Sequence, residues 1–151
     1  MVAGQPLVVI KLTKSQDVIK LIFQPLYSWK VCAGQYIYIR APAIQFWSFA
    51  ESHPFCVAWW ENSPDGKAVT MSILAKVKSR FIRSLLISCY NKVCILIDGP
   101  YGGPINIKPY TGVAMMATGT GIAAQLPYMK ELLEFQKSAK DTREKGKHNT
   151  Y

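Results

Sequence analysis

The sequence predicts a mainly β fold with an α/β tail: an antiparallel β domain carrying one helix, then a single strand–turn–helix unit. Two patterns and a turn carry this reading. Short β-branched apolar runs recur between polar turns from residue 7 to residue 97. Apolar residues fall at helical spacing in only two places, near residue 81 and beyond residue 122. Between the two parts stands a dense Gly/Pro turn, Asp98-Gly99-Pro100-Tyr101-Gly102-Gly103-Pro104. The expected domains are residues 1–108 and 109–151.

The runs at 7–12 (LVVIKL) and 18–23 (VIKLIF) flank polar, turn-prone residues 13–17, the pattern of a hairpin. A third strand follows Gly34, over Tyr36 to Arg40, and residues 54–60 (PFCVAWW) read as a fourth. Val69, Met71, Ile73 and Ala75 alternate as on a half-buried fifth strand over 69–76. The period then lengthens, and Phe81 and Leu85, with Ser84 and Ser88, suggest a short helix from Arg80 to Ile87. Residues 93–97 (VCILI) return to strand.

Past a boundary near 108–111, residues 113–117 read as a short apolar strand and Thr118-Gly119-Thr120-Gly121 as a turn. Ile122, Leu126, Met129 and Leu133 then recur as a helix face. Pro127 predicts a kink or a delayed start in that helix. One strand and one helix do not make a doubly wound sheet, so the expectation is of a chain cut short as its second domain begins.

Half of the 151 residues are apolar, enough for a core, and 18 Lys and Arg against 9 Asp and Glu leave a net charge of +9. Such a charge favours nucleic acid, an anionic membrane surface or phosphorylated cofactors without choosing among them. No recognition motif accompanies it, so nucleic acid is not expected as a partner. Part of it lies in a polar stretch, residues 137–147, that reads as a fraying helix end. The four cysteines (Cys32, Cys56, Cys89, Cys94) form no C-x-x-C pair and only two histidines are present, so no metal site is expected. Their dispersed spacing suggests reduced thiols, with Cys32, Cys89 and Cys94 buried. No signal peptide is visible, and no apolar run reaches the roughly 18 residues of a membrane span.

Five short features bear on chemistry. His53-Pro54-Phe55-Cys56 opens a strand with an aromatic and a thiol in succession, which suits a planar ring cofactor. Phe55, Trp59 and Trp60 as plain core aromatics, with His53 on the surface, explain the same residues. Gly34-Gln35-Tyr36 is a turn into a strand, with Gly34 free to approach other backbone. Lys76, Lys78, Arg80 and Arg83 surround a helix start, where a phosphate is attracted; a solvated basic face reads equally well. The Asp98–Gly102 turn needs no ligand to explain it. Thr118-Gly119-Thr120-Gly121-Ile122, between strand and helix, aims backbone N–H groups as a dinucleotide phosphate requires, without the full glycine fingerprint.

Taken in order, these features resemble the successive signatures of ferredoxin-reductase-type flavoproteins, and within them the ferric reductase and NADPH oxidase branch. Gly34-Gln35-Tyr36 resembles the G-Q-Y strand entry, His53-Pro54-Phe55 the H-P-F flavin motif, and Asp98–Gly102 the G-P-Y-G turn. Residues 117–133 (ATGTGIAAQLPYMKELL) resemble the nucleotide-binding turn and helix. The W-W ending at Trp59-Trp60 and the A-A-x-L-P-Y run look like those of fungal ferric reductases. The similarity covers roughly residues 5–135. Three positions depart from it: Cys56 replaces the usual Ser or Thr, Arg80-Phe81-Ile82 replaces G-F-T, and Thr118 replaces the first glycine of the nucleotide turn.

The resemblance implies a six-stranded antiparallel Greek-key FAD-binding barrel with one helix, followed by the first β-α unit of a Rossmann-like NAD(P)-binding domain. It implies an oxidoreductase at the cytosolic face of a membrane. NADPH would reduce FAD, and electrons would pass singly through the haems of a membrane domain to an acceptor such as a ferric chelate. Phe55 would pack on the isoalloxazine with Cys56 near its reactive edge, and His53, after which Pro54 starts the strand, would reach the ribityl–phosphate region. Lys76 and Arg80 would contact the pyrophosphate. Gly119, Thr120 and Gly121 would cradle the NADPH phosphates, with Gly102 near the domain junction. The alternatives are an oxidase that delivers electrons to dioxygen as superoxide, and a non-catalytic remnant that binds no flavin.

Overall fold

Two residues, Gln16 and Asp17, turn the first hairpin, with Gln16 at a positive φ of 47°. The computed structural model describes residues 5–7, 9–25, 27, 29–41, 52–89 and 95–148. The expected loop at 13–17 therefore shrinks to its last two positions, and Thr13, Lys14 and Ser15 stay in the ladder opposite Lys20, Ile19 and Val18.

The strands are β1 (Gln5–Leu7), β2 (Val9–Ser15), β3 (Val18–Phe23), β4 (Tyr36–Arg40), β5 (His53–Cys56), β6 (Trp59–Asn62), β7 (Ala68–Lys76) and β8 (Ile95–Tyr101). Helix α1 spans Arg80–Cys89, a 3-10 turn Gly119–Ala124, and helix α2 Leu126–His148. The strands form two four-stranded antiparallel sheets, ordered β1-β8-β4-β5 and β2-β3-β7-β6.

Both sheets are bounded by the same two stretches of chain. β1 lies at the edge of the first sheet, and β2, just beyond residue 8, at the edge of the second. β5 and β6 do the same around Val57 and Ala58. That handover takes one peptide: Val57 N donates to Gln35 O (3.0 Å) beside β4, and Ala58 N to Ser72 O (2.9 Å) in β7. Counting each sheet-crossing stretch once leaves six strands among the described residues, closed as 1-2-5-4-3-6, a Greek-key barrel. The apolar run 54–60 is thus one strand in outline and two in pairing.

The core is made by alternation. Ile19, Leu21 and Phe23 on β3 face the barrel interior opposite Ala75, Ile73 and Met71 on β7, and all six are buried. Ile37 and Ile39 on β4, with Ile95 and Ile97 on β8, line the other wall. Each such side chain contributes about 1.5–3 kcal/mol by leaving water. Val69, expected on the core face, is exposed at the start of β7. Helix α1 closes one end of the core with Ile82 and Leu85, both buried. Phe81, one turn before Leu85, is half-buried against the same core and also reaches strand β5.

Two expectations for the tail change. Residues 113–117 form no strand, because a strand needs a ladder partner and none of the described residues pairs with them. Pro127 does delay the helix: α2 starts at Leu126, and proline in a first turn lacks only an N–H that would have no partner there. Three of the four residues of its expected apolar face look outward, Ile122, Met129 and Leu133 being exposed by 42, 44 and 53 %, while Leu126 is half-buried. Toward the barrel α2 turns Pro127 and, only 7 % exposed, Lys130. Val93 and Cys94 lie outside the described residues, and β8 runs on through the Gly/Pro turn to Tyr101. No helix of the described residues is long and apolar enough to cross a membrane.

Candidate functional site

The pleat of β5 sorts the H-P-F-C residues onto two faces. In the pairing with β4, Ile37 stands opposite Phe55 and Ile39 opposite His53, whereas Tyr36 stands opposite Cys56 and Tyr38 opposite Pro54. His53 and Phe55 are half-buried on the side toward the core; Pro54 and Cys56 are exposed on the other. One planar surface does not have both Phe55 and Cys56 behind it.

On the inner side, the His53 ring stacks on Phe81 of α1, with centroids 3.9 Å apart and planes 26° apart. Phe55 lies 6.4 Å from the same ring. Next to Phe55 is a cleft of about 300 Å³ lined by Leu74, Ala75, Lys76, Ser79, Ile82 and Thr120. Its floor is apolar and its rim carries a cation and two hydroxyls.

Helix α1 meets this cleft at its N-terminus. The Ser79 hydroxyl accepts from Ile82 N at 3.1 Å, a side-chain cap on the first turn. The first turn holds no acid, and Arg80 and Arg83 sit there instead, Arg83 donating to Lys78 O at 3.0 Å. Cations at the positive end of a helix dipole are unfavourable for the helix and favourable for a bound anion. Arg80 is exposed.

The glycine turn arrives at the same place from the other end of the chain. Thr120 lines the cleft, and a Cβ built on Gly119 would lie 3.7 Å from Lys76 Nζ. Gly121 caps a tight step, its N–H donating to Thr118 O at 3.0 Å. Of the ten candidate residues, Phe55, Lys76 and Thr120 line the cleft, with His53, Arg80, Gly119 and Gly121 on elements adjoining it. Cys56 and Pro54 face away. Gly102 is not part of it: with φ at +87° it packs on Gly34 O and the Tyr36 ring.

Ser79 and Phe81 were not among the candidates. A serine directly before a helical pattern is a legible capping signal for Ser79. Nothing local marks Phe81 as a partner of His53, which lies 28 residues earlier in the chain. A second group also went unread, on the outer face of β4 and β8. Tyr36, Tyr38 and Tyr101 pack edge-on or tilted with centroids 5.6–5.8 Å apart. Beside them Arg40 pairs with Asp98 at 3.6 Å. A hydrogen bond to Asp98 holds the Tyr101 hydroxyl proton and pushes that pKa up. Among the described residues no group of His, Cys, Asp and Glu could hold a metal ion.

An FAD-binding domain family model matches residues 3–105 of this chain. The ferric/cupric reductase transmembrane component 7 of Saccharomyces cerevisiae is 31% identical over 99 residues, 65% of this chain and 15% of that protein. The ferric/cupric reductase transmembrane component 2 of the same yeast is 27% identical over 122 residues, 77% of this chain and 16% of that protein. The respiratory burst oxidase homolog protein E of Arabidopsis thaliana is 26% identical over 139 residues, 78% of this chain and 14% of that protein. The chain thus spans about 15% of the length of these relatives. The cytochrome b5 reductase domain of Ulva prolifera nitrate reductase is similar over 66% of this chain and 41% of its own, at a TM-score of 0.45 and 12% identity. On its family match and its relatives, the chain belongs to the FAD-binding domain family of the ferric reductase and NADPH oxidase type.

Proposed function

We propose that this chain is the FAD-holding module of an NADPH-driven reductase of the ferric-chelate type, working at the cytosolic face of a membrane next to a haem-bearing partner domain. The supporting observation is the convergence of an aromatic wall, a lysine and a capped helix N-terminus on one cleft. Phe55 offers the ring face, and Lys76, Arg80 and the start of α1 offer positive charge to a pyrophosphate. His53, fixed on Phe81, is the candidate for the chain linking ring and phosphate. The roughly 300 Å³ of the cleft is at the low end for ligand sites, room for part of a dinucleotide rather than all of it. Bound FAD would convert a two-electron hydride input into single-electron output.

Gly119, Thr120 and Gly121 are the candidate contacts for the NADPH phosphates, and their place beside Lys76 brings the two phosphate sites to one space. Residues 109–151 are read as belonging to that second, nicotinamide-binding unit. The ferric/cupric reductase components among the relatives favour iron or copper chelates as the final acceptor. The respiratory burst oxidase homolog favours dioxygen as a second reading.

A purified sample tests the proposal. The expected result is a yellow protein, or a colourless one that takes up added FAD with quenching of flavin fluorescence. A folded protein that stays colourless and leaves FAD fluorescence unchanged would overturn it, and would favour a barrel that has lost its cofactor. Loss of FAD uptake in Lys76→Ala would tie the binding to this cleft. Comparing flavin reoxidation by a ferric chelate and by dioxygen then separates the two acceptors.

A further inference from the structure

The ammonium group of Lys130 is enclosed. Its Nζ lies 4.8 Å from the Trp59 ring centroid and 4.9 Å from that of Trp60, and it donates to Trp60 O. Glu134, one helical turn on, pairs with it at 3.7 Å from a largely exposed position. A buried cation is unfavourable unless its surroundings satisfy it, and two indole faces, a carbonyl and a carboxylate do so here. A methionine could fill the same space from several helix positions. An ammonium needs partners such as these, which restricts how α2 can seat on the barrel.

Two neighbours in the chain, on adjoining sides of the helix, add directional ties to another part of the barrel. Glu131 Oε1 accepts from Ala33 N at 2.7 Å, and the Tyr128 hydroxyl rests on Gly34, where a built Cβ would come within 2.4 Å of it. All three ties fall in the first turns of α2, and the 3-10 turn runs straight into that helix. Gln125 N donates to Ile122 O at 2.9 Å, and Met129 N to Gln125 O at 3.1 Å. Residues 119–130 are therefore a hydrogen-bonded run that steps from 3-10 to α geometry at Gln125, roughly 15–20 Å of helical rise. Its far end carries Thr120 into the cleft beside Phe55 and Lys76.

We propose that Lys130 is a positioning residue: it pins α2 to Trp59 and Trp60, and through this hydrogen-bonded run it sets the glycine turn against the cleft. Lys130 touches nothing in the cleft itself. That the turn then meets a nucleotide phosphate rests on the function proposed above; the pin does not.

Lys130→Met, Lys130→Arg and Trp59→Leu in the full chain separate the two claims. In Lys130→Met, amides of residues 119–125 should exchange with solvent at least tenfold faster, while β3 and β7 amides keep their rates. Lys130→Arg should recover most of that protection, since a guanidinium also stacks on indole. Trp59→Leu, which leaves the lysine in place, should give an intermediate rate and keeps the test open if Lys130→Met does not fold. NADPH titration should show at least fivefold weaker binding in Lys130→Met at unchanged FAD content. Unchanged exchange at 119–125 in both Lys130→Met and Trp59→Leu would overturn the pin. Faster exchange in a protein whose wild type binds no NADPH would uphold the pin and overturn the phosphate reading of the turn.

Discussion

The imidazole of His53 lies face to face with the phenyl ring of Phe81, 3.9 Å away, and this stack joins strand β5 to helix α1 beside the cleft. An aromatic pair of this kind is worth about 0.5–1.5 kcal/mol beyond the area it buries. Phe81→Leu should keep the barrel folded and free the His53 ring. FAD binding should weaken by roughly 2- to 10-fold, by that energy at 1.4 kcal/mol per decade. Phe81→Tyr should bind as the wild type does. Flavin fluorescence titration reads both, and equal affinity in all three proteins would remove His53 from the site.

Gly34 and Gly66 make a matched pair. Both hold a positive φ, +83° and +73°, but a Cβ at Gly66 meets nothing within 4 Å, whereas one at Gly34 meets Tyr128 and, at 3.2 Å, Gly103 O. Gly66→Ala should lower stability by about 1–2 kcal/mol through backbone strain alone. Gly34→Ala should lower it further, and should also raise amide exchange across the first turns of α2. Urea midpoints at constant m-value give the first comparison. Equal losses at both positions would mean that Tyr128 gives way freely.

Cys32 and Cys56 should differ toward a thiol reagent. Cys56 stands exposed on the outer face of β5. Cys32 is partly covered, and burial first, then the Glu131 carboxylate, push its pKa up, which keeps it in the unreactive thiol form. Iodoacetamide at pH 8 should modify Cys56 several-fold faster, as read by peptide mass spectrometry. Glu131→Gln should narrow the gap by speeding Cys32.

Alkaline pH should weaken the fold through Tyr101. Its pKa is raised above 10.0, chiefly by the hydrogen bond to Asp98, so above that pH the folded chain holds a proton the unfolded chain has released. Stability is then fully present below pH 10 and is lost as pH rises through the folded value. Urea midpoints between pH 8 and pH 11 should fall less steeply in Tyr101→Phe than in the wild type. Parallel slopes would show that Asp98 does not hold that proton.

The barrel was legible where its pleat shows in the residues. β3 and β4 alternate buried with more exposed positions, β7 does so only in part because Ser72 is buried between Met71 and Ile73, and the limits of all three follow the apolar pattern to within a residue or so. The two sheet-crossing stretches were not legible, because nothing in PFCVAWW distinguishes residues bonded to β4 from those bonded to β7. Helix α2 misled for a different reason. Ile122, Met129 and Leu133 form a sound apolar stripe, yet the helix docks with Lys130 over two tryptophans, whose ring faces, with the Trp60 carbonyl and Glu134, offset the loss of water. Within the candidate site, the residue types at Phe55, Lys76 and Thr120 were readable singly. That they share one cleft, and that Cys56 does not, depends on strand register and on how α2 docks, which no local spacing records.

The way the chain passes between sheets has a consequence for solubility. Each sheet ends on the segments that cross over, and three of these four are short: β1 has three residues and β5 and β6 four each, while β2 has seven. A neighbouring molecule seeking to extend either ladder finds only a brief run of open amides before the strand leaves for the opposite wall. Short edges of this kind are a known defence against fibrous stacking. The sticky run VIKLIF is β3 itself, paired on one side by β2 and on the other by β7, so it presents no open ladder to other copies.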